Sequence, residues 1–169
     1  MLKRIGVIAT SLLASASFMA ASTALAKKTP PPTAEDYAFD HVSCKGDPNE
    51  IRVIVSGIEA ATGLITADLF PNKEDGFLRG RGRLLQVKFA AKAPLTKFCI
   101  TAPESGLFAM SVYHDGNANG IFDKNGIGLP AEPWGISNNP KVRFAPPPVE
   151  KALFSVSENN PAHVFIKLN

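Results

Sequence analysis

The sequence predicts an all-β fold, a single antiparallel β-sandwich of about seven strands. Three observations predict it. Short runs rich in Val and Ile alternate apolar with polar residues, the period of a half-buried strand. Turn-forming Gly, Pro, Asn and Asp clusters separate those runs at a spacing of roughly 8–12 residues. No stretch of the mature chain carries a convincing amphipathic helical period.

The strands follow in order. Ile51–Val55 alternates and ends at Gly57, and Gly63–Phe70 forms the second strand. Ala60-Ala61-Thr62-Gly63 reads as a hairpin turn between them. Pro71–Gly76 is a turn-rich loop. Leu84–Ala91 and Thr96–Thr101 are the third and fourth strands. Gly106–His114 is the fifth and runs straight into an acidic loop. Ala152–Ser157 and Ala162–Leu168 close the series, after a short Lys141–Phe144 stretch and the triplet Pro146-Pro147-Pro148. Proline cannot donate to a central ladder, so the triplets bound the sheets.

Residues 1–26 stand outside this fold. Lys3 and Arg4 form a basic start, Ile5–Leu13 is a short apolar core, and Ala24-Leu25-Ala26 is a small-x-small cleavage site. This is the pattern of a secretory signal peptide cut after Ala26, which predicts a periplasmic or secreted protein. The apolar core is too short for a retained anchor, and the mature chain has no transmembrane segment. Residues 27–50 form a Pro-rich N-terminal arm, with Pro30-Pro31-Pro32 favouring extended chain. The sandwich domain is 51–169. Cleavage removes two of the 18 basic residues and leaves 16 against 15 acidic ones. So balanced a charge gives no basis for nucleic-acid binding. The only cysteines are Cys44 and Cys99. An even pair in an exported chain reads as a disulfide, worth about 4 kcal/mol on the chain-entropy model.

The chemistry concentrates in Asp115-Gly-Asn117-Ala-Asn119-Gly120-Ile121-Phe122-Asp123. Oxygen-bearing side chains stand at positions 1, 3, 5 and 9 of this loop, with glycine at position 6. Ca²⁺ takes six to eight oxygens, and alternate residues of a tight loop can turn theirs towards one point. The predicted ligands are Asp115, Asn117, Asn119, the Ile121 carbonyl and Asp123. Position 12, a bidentate glutamate in an EF-hand, is Gly126 here, and Glu132 is the candidate for the missing carboxylate. The competing reading is a plain turn, since Asn, Asp and Gly also favour turns without metal.

The stretch Val112-Tyr-His-Asp-Gly-Asn-Ala-Asn-Gly-Ile-Phe-Asp123, then Gly128-Leu-Pro130, Glu132, Trp134-Gly135 and Ser137-Asn138, resembles the signature of a bacterial exported family, the domain of unknown function 2141. The Gly106-Leu-Phe-Ala109 lead-in is similar as well. The loop spacing also resembles that of Ca²⁺-binding B-type repeats in adhesins. The resemblance implies an immunoglobulin-like or transthyretin-like sandwich and no particular activity. Cys44, Cys99 and the Arg79-Gly-Arg81-Gly-Arg83 run depart from the family pattern.

Other residues have quieter readings. His114, beside Asp115, can serve as base or metal ligand, but a lone histidine at a strand end is more often bonded to a loop carbonyl. Trp134, near Pro130 and Pro133, reads as a lid over the sheet end rather than a stacking platform. The Arg run can bind an anion, though such a run is usually a solvated hairpin tip. The sequence therefore predicts a non-enzymatic exported module with a structural Ca²⁺ loop, serving an unknown protein or envelope partner. The alternatives are a small hydrolase or metal-dependent enzyme using His114, Asp115 and Glu132, and a small-ligand carrier near Trp134.

Overall fold

A computed structural model describes residues 44–142 and 145–169. The expected signal peptide and most of the arm lie outside the described residues, as do residues 143 and 144 of the stretch before the second proline triplet. Eight strands are present: β1 (Glu50–Ser56), β2 (Leu64–Pro71), β3 (Leu85–Ala90), β4 (Leu95–Thr101), β5 (Gly106–Asp115), β6 (Trp134–Ile136), β7 (Phe154–Val156) and β8 (Ala162–Lys167). Short 3₁₀ turns at Gly80–Gly82 and Val149–Lys151 are the only helical elements among the described residues.

The strands form two layers. One sheet runs β4-β1-β8, and the other runs β3-β2-β5-β6, with β7 pairing the beginning of β5. The inward faces supply Val53, Val55, Ile65, Leu69, Phe98, Met110, Val112, Val164 and Ile166, all buried in one core. Phe89 of β3 stacks on Phe98 of β4 with ring centroids 4.3 Å apart, which joins the layers through a single ring pair. A sheet this short is stable only when one face is buried, and here each sheet covers the other.

The sandwich is as expected, with three corrections. First, residues 60–63 are not a hairpin turn, because β1 and β2 lie in different sheets. Turn residues mark a reversal of the chain but do not say which sheet the chain re-enters. Second, β1 and β8 pair in parallel, Val53 opposite Val164, while every other ladder is antiparallel. Third, the three-residue β6 is an eighth strand, too short to show a period.

The outer face of the larger sheet is partly covered. Phe70, Phe77, Ala109, Ile136, Val149 and Ala152 form a second, smaller core there. Two glycines are required by close approach. A Cβ on Gly135 of β6 would lie 2.5 Å from the Lys167 carbonyl oxygen of β8. A Cβ on Gly63 would overlap the backbone at Asp115 and Gly116, so Gly63 underlies the start of the acidic loop.

The predicted disulfide is formed. Cys44 and Cys99 are bonded across a sequence separation of 55, tying the end of the arm to β4.

Candidate functional site

The acidic loop begins where β5 leaves the sheet. Asp115 is the last residue of β5 and is fully buried. Its two carboxylate oxygens accept N–H bonds from Asn119 at 3.0 Å and Gly120 at 2.7 Å. Asn117 Oδ1 accepts from the Asn119 N–H at 2.9 Å, and Asn119 Oδ1 from the Ile121 N–H at 2.8 Å. The amide groups of Asn117 and Asn119 both donate to Asp123 Oδ2, each at 2.9 Å. The chain has to curl for this, and Ala118 and Gly120 take up positive φ of 55° and 80°. Ile121 contributes backbone only, its side chain being 63% exposed.

Glu132 joins the loop because the chain doubles back. Lys124 and Pro130 form an isolated antiparallel bridge, and Asn125 Oδ1 accepts from Ile127 and Leu129 to cap the turn. The Ala131 N–H reaches the Asp123 carbonyl, and Glu132 Oε2 accepts the Asp123 N–H at 3.2 Å. Five side chains picked out in the sequence, Asp115, Asn117, Asn119, Asp123 and Glu132, thus lie in one hydrogen-bonded loop.

The electrostatics of that loop are unbalanced. Burial raises the Glu132 carboxyl above its ordinary value, and the charges of Asp115 and Asp123 push it further, against partial relief from the N–H groups of Asp123 and Gly116. Tyr113 is raised by burial, with the charges of Asp68, Asp115 and Glu132 adding to it, while the neighbouring Thr66 hydroxyl acts in the opposite sense. That Thr66–Tyr113 contact falls short of hydrogen-bond geometry, and Thr66 Oγ1 is the only buried side-chain polar atom among the described residues without a partner. Lys88 of β3 also brings a cation to the loop, its Nζ 2.9 Å from where a Cβ on Gly120 would stand.

The donor set fits a hard divalent cation in kind: three carboxylates and two amide oxygens, with neither sulfur nor imidazole. Each oxygen that accepts one N–H keeps a second lone pair. The fit is not complete in position. Among the described residues, no three His, Cys, Asp or Glu side chains stand close enough together to hold a metal. Asp115, Asp123 and Glu132 would have to draw in around an ion, with the two Asn oxygens and a backbone carbonyl filling the remaining positions.

His114 faces the other way. Its Nε2 is 2.7 Å from the Thr62 carbonyl oxygen, and since a carbonyl only accepts, Nε2 carries the proton. The ring pins the β1–β2 crossover to the end of β5. Trp134 is half-buried on β6, its ring 6.3 Å from Phe122, which in turn lies 5.0 Å from Tyr113. The Arg run occupies the β2–β3 connection: Arg81 pairs with exposed Asp75, and Arg83 reaches Asp68 on the sheet face at 3.2 Å.

Sequence reasoning missed a clamp. Buried Ser137 Oγ accepts from the Met110 N–H at 3.0 Å and donates to the Ala152 carbonyl at 2.5 Å. Asn138 donates to the Leu153 carbonyl at 2.7 Å. Asn139 donates to the Phe165 carbonyl and accepts the Lys167 N–H at 2.7 Å. Three consecutive side chains thus fasten β5, the 149–153 turn and β8. The available signal was the Asn138-Asn139 pair itself, since Asn tolerates the positive φ that both residues adopt better than most residues do.

Comparison with curated proteins and with solved structures finds no match. A family model described as an uncharacterised protein conserved in bacteria, DUF2141, matches residues 53–163, from β1 through the acidic loop and the clamp into β8, and the chain belongs to that family.

Proposed function

We propose that the protein is an exported, non-enzymatic binding module of the cell envelope whose 115–132 loop takes Ca²⁺ as a structural ion. One observation carries the reading: three carboxylates and two asparagines share one loop, and within it burial, together with the charges of Asp115 and Asp123, raises the Glu132 carboxyl. A divalent cation would relieve that repulsion. The ligands would be Asp115, Asn117, Asn119, Asp123, Glu132 and the Ile121 carbonyl. Export is supported by the leader-like first 26 residues and by the Cys44–Cys99 bond, which suits an oxidising compartment. Among the described residues no helix is long and apolar enough to cross a membrane.

The enzyme alternative has less support, because its base, His114, is buried and turned to the Thr62 carbonyl, away from Asp115 and Glu132. A screen of esters, phosphoesters, peptides and glycosides tests it: turnover that disappears in a folded His114→Ala variant would replace the present reading.

The Ca²⁺ reading is tested by melting curves. Affinity should be modest, in the range of about 10⁻⁴–10⁻³ M typical of extracellular modules. Millimolar Ca²⁺ should raise the Tm, and Mg²⁺ should do so less because it sheds its waters reluctantly. Glu132→Gln should raise the Tm of the metal-free protein and abolish the Ca²⁺ response. A wild-type curve that Ca²⁺ leaves unchanged would sink the assignment.

A further inference from the structure

An open groove of about 1240 Å³ lies on the outer face of the larger sheet, between the acidic loop and the β2–β3 connection. Its floor is made of side chains. Asp68 of β2, Gln86 of β3 and Ser111 of β5 line it, and Asp68 is held in place by Gln86 at 2.9 Å and Arg83 at 3.2 Å. The rings of Phe122 and Trp134, both half-buried, line the side towards the acidic loop.

Four further cations line the same groove: Arg79, Lys124, Lys141 and Lys167. All four are exposed or half-buried, and none has a side-chain partner among the described residues. The acidic groups of the groove, Asp68 and Glu132, are already engaged, with Arg83 and with the Asp123 N–H. The groove therefore presents aromatic surface, a fixed row of polar groups and an excess of positive charge.

We propose that this groove binds an acidic polysaccharide, a chain of sugar rings bearing carboxylates. The inference deepens the binding reading above and rests on it. Sugar rings offer C–H faces to aromatic side chains, hydroxyls to a polar floor such as Asp68, Gln86 and Ser111, and carboxylates to Lys and Arg. An extended peptide fits the floor less well. It would recognise a sheet through an unpaired ladder, and β2 and β5 are each paired on both sides.

Trp134 is the only tryptophan in the chain, so its fluorescence reports on the groove directly. The probes are an oligogalacturonate, its methyl ester and a poly-glutamate of matched charge, each titrated with Ca²⁺ and with a chelator. Oligogalacturonate should change the Trp134 emission and bind by calorimetry, and the uncharged ester should bind at least about tenfold more weakly. The triple variant Lys124→Ala, Lys141→Ala, Lys167→Ala alters only exposed side chains and should lose binding, while Lys92→Ala, away from the groove, should not. Trp134→Ala should weaken binding by about tenfold if its circular dichroism shows it folded, as expected for an aromatic contact. Absence of oligogalacturonate binding, or equal binding of poly-glutamate, overturns the proposal. If a Ca²⁺-dependent Tm shift persists in that case, only the groove assignment falls. If binding holds without any Ca²⁺ response, the metal assignment falls instead.

Discussion

Thr66 and Thr96 are both buried strand threonines, and they differ in the company of one oxygen. Thr66 Oγ1 has no hydrogen-bond partner. Thr96 Oγ1 accepts the Lys92 N–H at 2.8 Å and donates to the Lys92 carbonyl at 3.1 Å. Valine keeps the shape and removes the hydroxyl, so one substitution should have opposite effects at the two sites. Thr66→Val should be neutral or stabilising, because it deletes a desolvated group that nothing satisfies. Thr96→Val should cost about 1–3 kcal/mol, because it strands a backbone N–H and a carbonyl. Denaturant titration of both variants checks this, and a reversed order would contradict the hydrogen-bond assignment. The acidic loop is legible at the same scale. The spacing of Asp115, Asn117, Asn119 and Asp123 predicted side chains turned towards one another, and they share a hydrogen-bonded loop of the kind that a tight turn also makes. The spacing could not announce the imbalance of charge, which depends on Glu132 returning through the 124–130 turn.

Strand-sized elements were legible wherever alternation lasted long enough. β1, β2, β4 and β5 stand within a residue or two of their expected bounds, because each lays a period-two apolar face on the core. β6 was not legible, since three residues carry no period. Partners were not legible either: Val53 says that it is buried, not that Val164 lies beside it in parallel. The clamp was hidden for a related reason. Ser137-Asn138-Asn139 has the composition of a turn, and its partners at Met110, Ala152 and Lys167 are far away in sequence. Ser137→Ala leaves the Met110 N–H without its hydroxyl partner and should cost about 1–3 kcal/mol. Hydrogen exchange should speed up at Met110 and in the 149–152 turn before it does so in β1. Uniform loss of protection across both sheets would show that the clamp does not act locally.

At the scale of the whole molecule, two of the fastenings at the arm's end respond to solution conditions. The disulfide holds Cys44 to β4, and the buried carboxylate of Glu50 accepts the Gly46 N–H at 2.7 Å and binds Arg52 at 2.7 Å. Burial alone would raise the Glu50 carboxyl, but Arg52 and the N–H groups of Gly46 and Lys45 outweigh it and leave it below 4.5. A depressed acid stabilises the fold above its unfolded value and loses that contribution as pH falls through its folded one. Glu50→Gln should therefore lower the Tm at neutral pH, and the gap from wild type should close on acidification below about pH 4.5. Reduction of Cys44–Cys99 should lower the Tm without unfolding the sandwich, and reduced protein should show the wider gap because Glu50 then carries more of the segment's attachment, beside the bonds of Asn49 to Ala102 and Ser105. Melting curves from pH 7 to 3, with and without reductant, check both statements, and a gap that ignores pH would refute the assignment. The parallel ladder between β1 and β8 carries a consequence in time. Of the described strands, the first to leave the ribosome waits for the last, and until that last strand arrives one flank of β1 stays open and Val164 and Ile166 are missing from the interior. A partly synthesised chain cannot close this sandwich, so the finished interior forms only once β8 has joined β1.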